Sequence, residues 1–200
     1  AANGWREAIA WLADNPDINE VLLSGGDPLS LSTAKLTELS HALRPVAHLR
    51  RLRIHTRLPV VLPARIDAEF LAWIDALPWP VVVVIHANHA QELDQDVADA
   101  CHALTRHGAR LYNQSVLLRG VNDTLEALGA LSERLFELGV QPYYLHQLDR
   151  VAGTAHFEVP DDQARALYED LRAHLPGYLL PRLVREVAGA PAKLPLQSQK

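Results

Sequence analysis

Five apolar stretches of strand length recur along the 200 residues, and each runs into a cluster of polar or glycine residues. They span Glu20–Leu29, Leu52–Val60, Val81–Ala90, Arg110–Val121 and Gln141–Arg150. Between them the apolar residues return at helical spacing, so strand and helix alternate. The expected strands start at Val21, Leu52, Val81, Leu111 and Pro142. Val81–Ile85 is apolar at every position, as in a strand covered on both faces.

The expected helices follow from apolar spacing and end signals. A run about Glu7–Leu12, carrying Trp5 and Trp11, stops near Asn15-Pro16. Ser32 or Thr33 caps a helix that reaches Leu43 and ends before Pro45. Asp67–Ala76 turns Phe70, Leu71, Trp73 and Ile74 to the core, and Asp94–His107 closes on Gly108. Asp123 is the expected cap of a helix through Leu138, and Pro160-Asp161-Asp162 opens one through about His174. From Pro176 the tail reads as irregular, with one short apolar piece at Tyr178–Val184.

This βα period predicts a parallel barrel or open sheet, since right-handed crossovers lay helices over the strands. The carboxyl ends of such strands share one face, where ligands bind, so the polar clusters are expected to converge there. The chain opens on a helix. A preceding strand and its loop would complete six βα units, giving an α/β partial barrel. Residues 1–200 read as a single domain, with barrel over 1–175 and a tail over 176–200.

Composition narrows the function classes. The chain is 48% hydrophobic with a mean hydropathy of −0.04, as in a globular protein with a real core. Lys+Arg 19 against Asp+Glu 24 gives −5 with no block of like charge, which argues against nucleic acid as the main partner. No stretch approaches the ~18–20 consecutive apolar residues of a membrane helix. Ala1–Ala8 lacks the basic start and apolar core of a signal peptide. The single cysteine, Cys101, suits a reducing compartment, and the cytoplasm is the expected location. There is no methionine, so the chain is expected to begin inside a longer protein.

Individually, the candidate motifs admit plain readings. Ser24-Gly25-Gly26-Asp27 can bring a ligand against backbone N–H groups or can be a tight βα turn. His86 and His89 at a strand end cannot share a face as a helical metal pair would, so a ligand hydrogen bond from His86 is preferred. Asn113-Gln114-Ser115 places polar groups within an apolar strand, needing either a ligand or an internal network. Cys101 reads as a small core residue. Asp149, Glu186 and Lys193 have the composition of solvated surface groups.

Taken together, the strings resemble the lysine 2,3-aminomutase family of radical S-adenosylmethionine enzymes. They are Val21-LLSGGDPL, Arg53-IHTRLPVVLPARI, His86-ANHAQEL, Asn113-QSVLLRGVND, Pro142-YYLHQLD, His156-F and Glu186-VAGAPAKLPL, in order over about Glu20–Leu196. The resemblance implies a partial (β/α)6 TIM-like radical SAM barrel whose first strand and cluster loop are missing from this chain. It implies migration of an amino group from C2 to C3 of L-lysine, with pyridoxal phosphate, S-adenosylmethionine and a [4Fe–4S] cluster.

By the same resemblance, Lys193 holds pyridoxal phosphate covalently. Ser24, Gly25, Gly26 and Asp27, with His86 and Gln114, are implied contacts of S-adenosylmethionine. Asp149 and Glu186 take the distal ammonium of lysine, Glu186 standing where relatives carry Asp. Ala190, Pro191 and Ala192 replace most of the glycines that relatives place before the lysine. The CxxxCxxC loop of the family has no counterpart, so no metal ligand is assigned and the fragment alone is expected to be inactive. Pro28, His55, His146 and Glu186 resemble the branch that makes (R)-β-lysine for elongation factor P with a partner ligase. The alternatives are free β-lysine metabolism, another aminomutase specificity, or a non-catalytic barrel that keeps only the amino-acid pocket; a homo-oligomer is compatible with each.

Overall fold

The structure, a computed structural model, describes residues 4–149 and 151–196. The five expected strands form as β1 (Glu20–Leu23), β2 (Arg51–His55), β3 (Val81–Ile85), β4 (Arg110–Val116) and β5 (Val140–His146). Two more follow, β6 (Arg182–Arg185) and β7 (Leu194–Pro195), in the order β1-β2-β3-β4-β5-β6-β7. β1 pairs with β2, β2 with β3 and β5 with β6, all parallel, while β7 runs antiparallel to β6. The tail is therefore not irregular. Leu183 and Val184 are buried strand residues, and β6 lies beside β5 through Tyr144 opposite Arg182 and His146 opposite Val184. A four-residue strand with arginines at both ends carries too little alternation to stand out in sequence.

Helices fill the intervals: α1 (Gly4–Ala13), α2 (Thr33–Leu43), a single turn α3 (Leu58–Val61), α4 (Ala68–Asp75), α5 (Gln95–Arg106), α6 (Leu125–Glu137) and α7 (Asp161–His174). Ser32 and Asp67 cap α2 and α4, each side chain accepting the N–H three residues on. The cap of α6 is Thr124, not Asp123. The Asp123 carboxylate instead accepts the Gly120 N–H, closing the turn before the helix.

The chain divides into two compact units, Ala1–Ile85 with Asp99–Leu111, and His86–Ala98 with Tyr112–Lys200. In the first, Leu12, Leu39, Leu43, Val46 and Leu49 form a core against which Trp5, Val21, Leu23 and Trp79 pack. In the second, Leu117, Leu128, Leu145, Val159, Leu171 and Leu183 gather beneath α6 and α7. Burial of each such side chain contributes about 1.5–3 kcal/mol. Among the described residues no helix is long and apolar enough to cross a membrane.

Candidate functional site

In the first unit, β1 runs straight into Ser24-Gly25-Gly26-Asp27. Gly25 and Gly26 have φ of 85° and 61°, a conformation that side chains with a Cβ resist. Asp27 makes this turn rigid. One carboxylate oxygen accepts the Leu29 N–H at 3.0 Å and the Thr56 hydroxyl at 2.7 Å, and the other accepts the Arg57 N–H at 2.7 Å. Both oxygens are thus engaged with the protein, and the part Asp27 plays here is to tie the turn to the end of β2. Ser24, Gly25 and Gly26 stay exposed along a cavity of ≈ 290 Å³ shared with Trp5, Leu22 and Leu31.

In the second unit, β4 separates its polar residues by face. Asn113 is buried and grips Ala87, its side-chain oxygen accepting the Ala87 N–H at 2.8 Å and its amide donating to the Ala87 carbonyl at 3.0 Å. Asn122, fully buried, donates to the carbonyls of Asn88 and Val116, while Asn88 accepts the Val116 N–H. These asparagines fix the segment just after β3. Sequence reading missed Asn88 and Asn122, although Asn122 lies within the same polar string as Gln114.

Gln114 turns to the other face and donates from its amide nitrogen to His86 Nε2 at 3.0 Å. The Gln114 oxygen is buried without a hydrogen-bond partner in the structure, an acceptor suited to a ligand N–H or O–H. His89 instead caps a short turn, its Nδ1 accepting the Gln91 N–H while Glu92 takes the backbone N–H groups of Asn88 and His89.

Further along the sheet, Lys193 and Glu186 form an ion pair. The Lys193 ammonium lies 5.5 Å from the centre of the Tyr144 ring, and His146 Nδ1 lies 4.0 Å from the same Glu186 oxygen that meets Lys193. The His146 pKa is lowered to about 4, chiefly by burial and then by the charges of Lys193 and His86, so the ring is neutral near pH 7. Its Nε2 is buried without a partner. His146 and Tyr144 thus join the site, one apolar strand carrying both on adjacent alternate positions. A cavity of ≈ 620 Å³ opens beside Tyr144 and Lys193, edged by Tyr168, Arg172 and Arg182.

Asp149 lies exposed beyond β5, and its charge favours the ionised form of Arg185, whose main partner is Asp161. Cys101 is fully buried in α5, and burial pushes its thiol up to about 12. Among the described residues no group of three or more His, Cys, Asp or Glu could hold a metal ion. The donor set of the described residues therefore does not fit an iron–sulfur cluster, whereas the Lys193 amine beside an aromatic ring fits a carbonyl cofactor.

No family model matches the chain. It is 45% identical over 195 residues to the L-lysine 2,3-aminomutase of Escherichia coli, covering 98% of this chain and 57% of that protein. The Haemophilus influenzae enzyme of the same name is 46% identical over 189 residues, covering 94% of this chain and 56% of its own. That of Clostridium subterminale is 38% identical over 190 residues, 95% of this chain and 45% of its own. The chain thus spans a little over half the length of the first two. A radical SAM methyltransferase from Sphaerobacter thermophilus matches in fold with a TM-score of 0.57 at 16% identity, over 84% of this chain and 51% of that one. A second solved structure, anSMEcpe with bound AdoMet and the Kp18Cys peptide, matches with a TM-score of 0.58 at 10% identity, over 82% and 49%.

Proposed function

We propose, from the 45% identity of the chain to an L-lysine 2,3-aminomutase over the part it spans, that the protein carrying it converts L-lysine to β-lysine. The observation that supports this best is the grouping of Lys193, Glu186, Tyr144 and His146 at one end of the sheet. A primary amine, a carboxylate for an ammonium and a neutral imidazole are what a substrate with two amino groups requires.

Lys193 is the residue to hold pyridoxal phosphate, which when bound supplies a covalent, electron-withdrawing hold on an amino group. S-adenosylmethionine when bound supplies the hydrogen-abstracting radical; Ser24, Gly25 and Gly26, with exposed backbone, are its candidate contacts in the first unit, and His86 and Gln114 are separate candidates in the second. Asp27 keeps the glycine turn in shape through its three hydrogen bonds. Glu186 neutralises the distal ammonium, with Asp149 as its companion carboxylate.

The finer reading is (R)-β-lysine delivered to elongation factor P through a ligase, in the cytoplasm. Its support is the set Pro28, His55, His146 and Glu186. The test uses the complete parent protein, reconstituted anaerobically with iron, sulfide and pyridoxal phosphate. Borohydride should trap the cofactor on Lys193, and reductant with S-adenosylmethionine should then yield β-lysine from L-lysine. An (S)-product would move the protein to free β-lysine metabolism. Trapping without product, on a fully loaded cluster, would contradict the aminomutase reading.

A further inference from the structure

We infer that Glu186, the face of Tyr144 and the imidazole of His146 form one seat for a primary alkylammonium, which Lys193 fills in the cofactor-free protein and vacates when its nitrogen is captured covalently. The seat is defined by what sits in it. The Lys193 ammonium meets a carboxylate oxygen of Glu186 and lies 5.5 Å from the Tyr144 ring centre, within reach of a cation–π attraction. His146 adds no competing charge, being 4.0 Å from that oxygen and neutral. A Lys side chain and the side chain of a lysine ligand end in the same group, so one seat serves either, and two ammonium groups drawn to the same carboxylate repel each other.

Capture of the Lys193 nitrogen by an aldehyde forms a C=N bond, releases the carbonyl oxygen as water and gives one proton to solvent. The primary ammonium is then gone, and Glu186 needs another cation. Loading and ligand binding are thereby coupled: each favours the other through the shared carboxylate. The protein discriminates against an alkylammonium ligand until the cofactor is in place.

This rests on the reading of Glu186 as a substrate carboxylate, yet it is tested without turnover, so its failure is separate from a failure of the aminomutase assay. The complete parent protein, free of pyridoxal phosphate and S-adenosylmethionine, is titrated calorimetrically with pentylammonium. Wild type is expected to bind weakly, and Lys193→Met at least ten times more tightly. Lys193→Arg, which keeps a cation on Glu186, should stay weak and serves as the check that tightening reflects lost charge. Adding Glu186→Gln to Lys193→Met should abolish the gain. Equal binding by wild type and Lys193→Met, or a gain that survives Glu186→Gln, overturns the inference, provided that each variant keeps the wild-type melting temperature. If Lys193→Met does not fold, wild type loaded with pyridoxal phosphate replaces it, and unchanged pentylammonium affinity on loading overturns the inference equally.

Discussion

His146 shows how a single side chain reports on its surroundings. Buried beside Lys193 and His86, it has its pKa lowered to about 4, against an unfolded value near 6.5. Between those values the unfolded chain binds a proton that the folded chain refuses. Stability should therefore fall as pH drops from about 6.5 to about 4 and then level off. His146→Gln should flatten that part of the stability curve. Removing the neighbouring cation with Lys193→Met should raise the His146 midpoint, which a proton NMR titration of the ring would read directly; an unmoved midpoint would mean that Lys193 lies elsewhere in solution. Cys101 makes the opposite case, since burial leaves its thiol protonated. Alkylating reagents should modify it only after unfolding, and modification at the native rate of an exposed thiol would refute the buried assignment. From sequence, Lys193 and Glu186 looked like solvated surface groups, and only their place in a familiar string singled them out. His146 was legible only as a departure from that string, because burial and neighbouring charge do not show in spacing.

At the level of elements, buried polar side chains hold the strand ends in place. Asn113→Leu leaves the buried N–H and carbonyl of Ala87 without partners, an expected loss of about 2–5 kcal/mol measured by urea denaturation. Asp27→Ala removes two hydrogen bonds from the glycine turn to the end of β2 and one to the Leu29 N–H within the turn, and should cost about 3 kcal/mol. A change below about 0.5 kcal/mol in either variant, the scatter of ordinary surface substitutions, would show that the turn or the clamp is held by other contacts. The alternation of five strands with helices was readable because runs such as Val81–Ile85 and caps such as Ser32 and Asp67 announce themselves locally. β6 and β7 were not, since they form by pairing with each other and with β5 and carry little pattern of their own. The cap of α6 was misplaced by one residue because Asp123 and Thr124 are both good cap residues, and only the turn at Gly120 decides between them.

At the scale of the whole molecule, the glycine turn belongs to one compact unit and the Lys193 site to the other. The parallel order of strands was foreseeable from the βα period, and the likeness in fold to two solved structures agrees with it. The one cysteine of the chain is a core residue. The central claim is that this scaffold moves an amino group between adjacent carbons of lysine while holding the distal ammonium on Glu186. It is tested most directly by giving the reconstituted parent protein L-lysine labelled with nitrogen-15 at the α-amino group and locating the label by NMR. The account predicts β-lysine with the label on C3, and none from Lys193→Ala. Label released to the medium, or retained on C2 with no β-lysine despite full cofactor loading, would contradict it.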